Sequence, residues 1–173
     1  MTPLLGEFEC RLDAKARLIL PAALRKQLPV ECGERFVVNR GFEQHLTLYP
    51  LTEWRRISAE LNRLNLYVKK HRDFVRYFHR GATELELDGN GRLLLPRRLL
   101  DYAGIQEAAI LLAYANRVEC WVPTLYDNLL SDEPADFSRL AEEIMGGTDQ
   151  RDSDDPRFPG FRDLAPAPPD SRH

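Results

Sequence analysis

Apolar and polar residues alternate in "EFECRL", with Phe8, Cys10 and Leu12 on one side and Glu7, Glu9 and Arg11 on the other. A period of two predicts a half-buried strand. The alternation returns in "TELELD", with Leu85 and Leu87. Each stretch runs into an aspartate, Asp13 before "AKA" and Asp88 before "GNG". Aspartate favours turns closed by its own side chain, and Gly89 and Gly91 permit a positive φ. A second short strand follows, "RLIL" or "RLLL", and ends at Pro21 or Pro96. Proline suits the first turn of a helix. The expected helices are "AALRKQL", stopped by Pro29, and "RRLLDYA", stopped by Gly104. Two further strand pairs come next, "RFVVNR" with "HLTLYP" and "AILLAY" with "VECWVP". The pattern is strand–strand–helix–strand–strand, written twice.

Self-comparison makes the duplication explicit. At an offset of 75, residues 10–24 match 85–99 at seven of fifteen positions, including Asp13/Asp88, Arg17/Arg92 and Pro21/Pro96. The offset then slips to 72, so that Leu48 faces Cys120, Tyr49 faces Trp121 and Trp54 faces Tyr126. A slip of three residues is tolerated in loops. One Asp-x-x-x-Arg is a weak signal, since a chain of this length yields roughly one by chance. Two in register inside a longer repeat are a strong one.

Helices follow each unit. "TEWRRISAELNRL" places Trp54, Ile57, Leu61 and Leu64 at helical spacing behind Thr52, a candidate cap. "VKKHRDFVRYFHR" has an apolar edge of Phe74, Val75 and Phe78 and a basic remainder, and "ADFSRLAEEIM" puts Phe137, Leu140, Ala141 and Ile144 on one face. The class is α+β, mainly β, built from two ββαββ units. The expected divisions are a first unit at 7–54, a helical basic connector at 55–80, a second unit at 81–127 and C-terminal helices at 128–148. Residues 149–173, rich in Asp and Pro and poor in aliphatics, read as a disordered tail.

Charge sharpens the picture. The net charge is −3, but residues 1–129 hold 19 Lys+Arg against 16 Asp+Glu, and residues 130–173 hold 5 against 11. Residues 55–80 alone hold 8 basic and 2 acidic side chains. The body is mildly basic and the acid lies at the C-terminal end. No apolar run approaches the ~18 residues that span a bilayer, and the N-terminus lacks the basic and apolar regions of a signal peptide. Cys10, Cys32 and Cys120 are odd in number and show no C-x-x-C spacing. A disulfide framework or zinc site is therefore not expected, and a reducing cytoplasm is. Cys10 and Cys120 read as small core residues. His45, His71, His79 and His173 lack metal-ligand spacing, and neither a P-loop nor Gly-x-Ser-x-Gly occurs. The expectation is a protein without cofactor or metal that is not an enzyme.

Within the motifs, Asp13 and Asp88 read as turn-forming residues that pair with the arginine across the turn. Arg17 and Arg92 are the candidate functional side chains, because arginine makes bidentate contacts with guanine or phosphate. Lys15 and Asn90 occupy matched turn positions. They suit contact with phosphate or a base edge, and they suit a merely solvated turn equally well. Two similar units form a pseudo-twofold pair, which matches the twofold character of duplex DNA.

These residues resemble the MraZ family, bacterial regulators encoded at the head of the division and cell-wall gene cluster. The resemblance rests on Gly6-Glu7-Phe8, on "LDAKARLILP" and "HRGATELELDGNGRLLLP", and on "LTLYPLTEW", and it covers about residues 5–145. It implies two AbrB-like swapped-hairpin units forming a pseudo-twofold barrel, and several chains closed into a ring. It further implies a cytoplasmic, nucleoid-associated repressor that binds direct repeats in the promoter of its own operon. Carried over residue by residue, it puts Lys15, Arg17, Asn90 and Arg92 at double-stranded DNA. A ring reading spaced repeats would gain by effective concentration, roughly 10² or more over single sites. The segments 52–64 and 68–80 suit either chain–chain contact or core packing within the chain. Two positions depart from the family pattern: Ala16 stands where glycine is usual, and Asn90 lowers the charge of the second turn. The rival reading is an AbrB-like protein-interaction module of the antitoxin type, without specific DNA readout.

Overall fold

Alternation and proline punctuation translate into eight strands and six α-helices in a computed structural model, which describes residues 2–131 and 136–146. In order they are β1 (Leu4–Arg11), β2 (Arg17–Ile19), α1 (Ala22–Arg25), β3 (Arg35–Arg40), β4 (Leu46–Pro50), α2 (Leu51–Leu61) and α3 (Lys69–Phe78). The second half gives β5 (Thr83–Glu86), β6 (Arg92–Leu94), α4 (Arg97–Ala103), β7 (Ala108–Ala115), β8 (Arg117–Trp121), α5 (Pro123–Ser131) and α6 (Phe137–Met145). The chain divides into two compact units at Leu130/Ser131. The expected tail at 149–173 lies outside the described residues.

Strand exchange organises the first unit. Six strands form one antiparallel sheet in the order β1-β7-β8-β4-β3-β5, and β2 pairs with β6 in a separate ribbon. The first strand of each repeat thus pairs with the third strand of the other, β1 with β7 and β5 with β3. The short second strands pair with each other, Leu18 opposite Leu93. A pseudo-twofold axis therefore passes between β4 and β8 and between β2 and β6. This is the swapped-hairpin arrangement. The hydrogen-bonded ladder leaves β1 and β5 as the sheet edges, so it does not close a barrel.

The core lies between the inner sheet face, the ribbon and the helices that follow it. Leu24, Phe36, Val38, Leu46, Leu93, Leu111 and Val118 are fully buried there. Cys120 joins the core cluster and Cys10 packs against it. Burial pushes the Cys10 thiol up to about 11 and that of Cys120 to about 12, which leaves both unreactive.

The outer face carries a matched pair of stacks. His45 stacks on Trp121 at 4.3 Å, and Arg117 lies over the Tyr49 ring at 5.4 Å. His45 and Arg117 are related by the same 72-residue offset as Tyr49 and Trp121. Gly41 makes room for this arrangement, because a Cβ there would lie 2.1 Å from the His45 ring. α2 and α3 join through Trp54 and Phe78, stacked at 5.6 Å.

Two local expectations change. Thr52 is not a cap: Pro50 precedes the first helical turn, and Thr52 Oγ1 is buried inside α2 without a hydrogen-bond partner. α1 ends at Arg25, three residues short of the expected limit, and continues as turns that run into Pro29. In the second unit, Asp136 caps α6 by accepting from the Arg139 amide at 3.0 Å.

Candidate nucleic-acid interface

The two Asp-x-x-x-Arg segments fold into the same turn at opposite ends of the β2·β6 ribbon. The Asp13 amide donates to the Arg17 carbonyl at 3.0 Å, and the Ala16 amide donates to the Asp13 carbonyl at 3.0 Å. Asp13 Oδ1 accepts from the amides of Lys15 and Arg17 at 2.9 and 3.0 Å, and Oδ2 accepts from Arg17 Nε at 2.6 Å. Asp88 repeats each bond. Its Oδ1 accepts from the amides of Asn90 and Arg92, both at 2.9 Å, and its Oδ2 from Arg92 Nε at 2.8 Å. The spacing follows from the geometry. Three intervening residues bring the arginine amide back to the aspartate, and one carboxylate then binds both the turn and the guanidinium.

The fourth residue of each turn must be left-handed, and both are. Gly91 has φ 72° and Ala16 has φ 63°. For an L-residue this conformation costs about 1–2 kcal/mol. The methyl group of Ala16 is buried in the core, which offsets part of that strain. The turn therefore keeps its shape despite the departure from glycine. The carbonyls of Ala16 and Gly91 then accept from the amides of Leu95 and Leu20 at 3.0 and 2.9 Å, extending the ribbon symmetrically.

Electrostatics reinforces the turn. The Arg17 amide, followed by its guanidinium and the Lys15 amide, holds the Asp13 carboxyl below the usual carboxylate range. The Arg92 amide, its guanidinium and the Asn90 amide do the same for Asp88. Both carboxylates are thus charged at neutral pH and each is committed to its arginine. Each guanidinium is held at Nε only. Among the described residues, its two Nη groups make no further hydrogen bond. Tethering a long side chain in this way removes rotamer freedom that binding would otherwise have to remove.

Arg17 and Arg92 are half-buried, while Lys15 and Asn90 stand exposed at the turn tips. The structure therefore brings all four candidate residues to one ribbon, in two diagonal pairs. It also brings in Arg97, which sequence reasoning read only as helix. A shallow cleft on one flank of the ribbon is lined by Lys15, Ala16, Leu94, Pro96 and Arg97, among others. Its signal was the "RR" that follows Pro96, where the first repeat has "AA" after Pro21. The second half thus regains at Arg97 and Arg98 some of the charge that Asn90 lacks. No group of His, Cys, Asp and Glu suited to a metal ion occurs among the described residues. None of their helices is long and apolar enough to cross a membrane.

Comparison with known proteins gives the family. The family described as "MraZ protein, putative antitoxin-like" matches twice, over residues 4–77 and 78–146. The chain belongs to the MraZ family. The two matches meet at the end of α3, just before the internal repeat restarts. Among MraZ relatives, the "Transcriptional regulator MraZ" of Christiangramia forsetii is 43% identical over 150 residues, covering 86% of this chain and 97% of that protein. The protein of the same name from Flavobacterium psychrophilum is 42% identical over 147 residues, covering 84% and 94%. That of Cytophaga hutchinsonii is 39% identical over 143 residues, covering 83% and 95%. These MraZ proteins carry the name of a regulator, not of an enzyme.

Proposed function

We propose that the protein is a transcriptional regulator whose β2·β6 ribbon and flanking turns read duplex DNA. The observation that carries this reading is the pair of matching turns, each holding an arginine by Nε with both Nη groups unengaged by the described residues. An arginine beside its own carboxylate has little net charge to offer a phosphate. Two parallel N–H donors are instead suited to O6 and N7 of guanine in the major groove. Arg17 and Arg92 are then the base readers. Lys15, which has no carboxylate partner among the described residues, supplies phosphate contact, and Asn90 takes a phosphate or base edge on the other side. The names of the relatives support the regulatory role. We further assign repression of its own division and cell-wall operon, through direct repeats in the promoter, and a cytoplasmic, nucleoid-associated location.

The same proposal includes a closed ring of chains. Tyr67 and Tyr77 are 96% and 65% exposed, and Phe74, Val68 and Leu66 lie exposed around them. This apolar surface on and before α3 supports chain–chain contact there, while Trp54 and Phe78 serve packing within the chain. Sedimentation should give a multimer for the wild type and smaller species for Tyr77→Ser. A wild-type monomer would remove the ring.

DNA reading is tested by binding to the DNA upstream of the gene, with scrambled DNA of equal length as control, across a salt series. Tight binding to the upstream DNA alone is expected, with Arg17→Ala losing most of the preference while staying folded and oligomeric. A log–log salt slope of about −0.9 per phosphate contacted should accompany it. Absence of binding to either DNA at low salt would refute the regulator reading. The antitoxin-type interaction module, which the description of the matching family favours, would then take its place.

A further inference from the structure

The exposed face of the ribbon is not only basic. In β2 and β6, Leu18 and Leu93 turn inward and are 1% and 0% exposed. Their neighbours Ile19 and Leu94 turn outward and are 61% and 59% exposed. These two are equivalent under the 75-residue repeat. Register places Arg17 opposite Leu94 and Ile19 opposite Arg92. The outward face is thus a four-residue patch in which each arginine sits beside an aliphatic side chain of the other repeat. Large aliphatics on a two-stranded ribbon contribute little to the fold when they face water, and both repeats carry one at the same place.

We infer that Ile19 and Leu94 are sequence-reading residues that contact thymine methyl groups next to the bases read by Arg17 and Arg92. This rests on the DNA-reading role proposed above. A two-stranded ribbon fits the major groove, where thymine alone presents a methyl group and guanine presents the paired acceptors that arginine takes. Adjacent strands lie about 4.8 Å apart and residues rise about 3.3 Å along each. The four side chains therefore span only a few base pairs, so arginine and aliphatic would read neighbouring positions. The basic surroundings, Lys15 on one flank with Arg97 beside Leu94 in the same cleft, favour a polyanion as the occupant of this face over an apolar protein partner.

The test replaces every thymine of the upstream binding site by deoxyuridine, which removes the methyl groups and keeps base pairing. Affinities are compared for wild type and for Ile19→Ala/Leu94→Ala. Wild type should lose about fourfold per contacted methyl. The double variant should bind the thymine site more weakly than wild type and no longer distinguish the two DNAs. Its salt slope should stay unchanged, because no phosphate contact is removed. Two results would overturn the inference while leaving DNA reading intact: equal wild-type affinity for both DNAs, or a double variant that discriminates as well as wild type. Failure of the wild type to prefer upstream over scrambled DNA would instead remove the reading on which the inference rests. Both substitutions are at mostly exposed positions, so a cooperative thermal unfolding transition within about 8 °C of wild type is the folding control.

Discussion

Two leucines adjacent in sequence should respond to the same mutation in opposite ways. Leu93 is fully buried beneath the ribbon and belongs to the main core cluster, whereas Leu94 is 59% exposed. Truncating a buried leucine to alanine costs about 2–5 kcal/mol, from lost transfer energy plus the cavity left behind. Leu93 is the middle residue of a three-residue strand with Leu18 opposite, so the short ribbon has little else to hold it against a collapse. We expect about 3 kcal/mol for Leu93→Ala. For Leu94→Ala, less than half of a burial energy of about 2 kcal/mol is at stake, so the cost should stay below about 1 kcal/mol. A gap of about 2 kcal/mol corresponds to roughly 4–8 °C in Tm for a chain of this size. Urea unfolding followed by circular dichroism measures both variants, with unchanged m-values as the check on two-state behaviour. A cost of 2 kcal/mol or more for Leu94→Ala would refute the reasoning. It would show that Leu94 is covered in solution, and the outward face of the ribbon would then not be free to meet DNA.

The left-handed turn residues give a second contrast. Gly91→Ala should destabilise by about 1 kcal/mol, since the positive φ outweighs the entropy gained in the unfolded chain; among the described residues the new Cβ would meet just the flexible end of Arg25. Ala16→Gly should be near neutral, because strain relief is offset by lost burial of one methyl and by a freer unfolded state. A large effect at Ala16 would mean that its φ is not 63° in solution. The third prediction concerns pH. His45 is buried at the sheet centre, and this burial lowers its pKa below the ordinary value, against the opposing pull of Glu119 and Glu43. A depressed histidine contributes stability that is complete above about pH 6.5 and is lost as the pH falls. The unfolding free energy should therefore decline between pH 7 and 5, by at most about 1.4 kcal/mol per unit from this group. His45→Gln should flatten that decline, and an unchanged slope would sink the assignment.

Much of this architecture is legible from local pattern. β3 at Arg35–Arg40 coincides with the apolar segment "RFVVNR" that precedes a polar, Gly-containing turn, and α4 at Arg97–Ala103 with the segment that Pro96 and Gly104 delimit. Local pattern could not supply the exchange of β1 and β5 between repeats. Alternation says that a strand has one buried face, not which distant strand it borders. α5 was hidden for another reason. Pro123 read as the end of a strand, although the 72-residue offset equates it with Leu51, the residue at which α2 begins. The Asp-x-x-x-Arg turns were legible as a spacing, because a carboxylate reaching amides two and four residues ahead is a local event. The outward aliphatics were not. In "RLIL" and "RLLL" every residue after arginine is apolar, and only the ribbon register separates Leu18 and Leu93 from Ile19 and Leu94.

Fusing two copies in one chain has a consequence that two identical chains could not produce. A symmetric pair of turns would read a palindrome, each half presenting the same side chains. Here Lys15 is the counterpart of Asn90, Ile19 of Leu94, and Ala22 of Arg97 under the pseudo-twofold repeat. The backbone bonds remain symmetric to within 0.1 Å at the paired Leu95–Ala16 and Leu20–Gly91 contacts, 3.0 and 2.9 Å. Backbone symmetry thus fixes where two reading heads sit, while side-chain divergence lets each head read differently. Such a device has a direction along the duplex. If the ribbon reads DNA as proposed, its preferred site is an asymmetric element, and repeating that element in one orientation suits a ring of like-oriented chains better than an inverted repeat. Inverting one of two repeats in the upstream DNA, at constant spacing, should then cost the avidity that links them and leave single-site affinity unchanged.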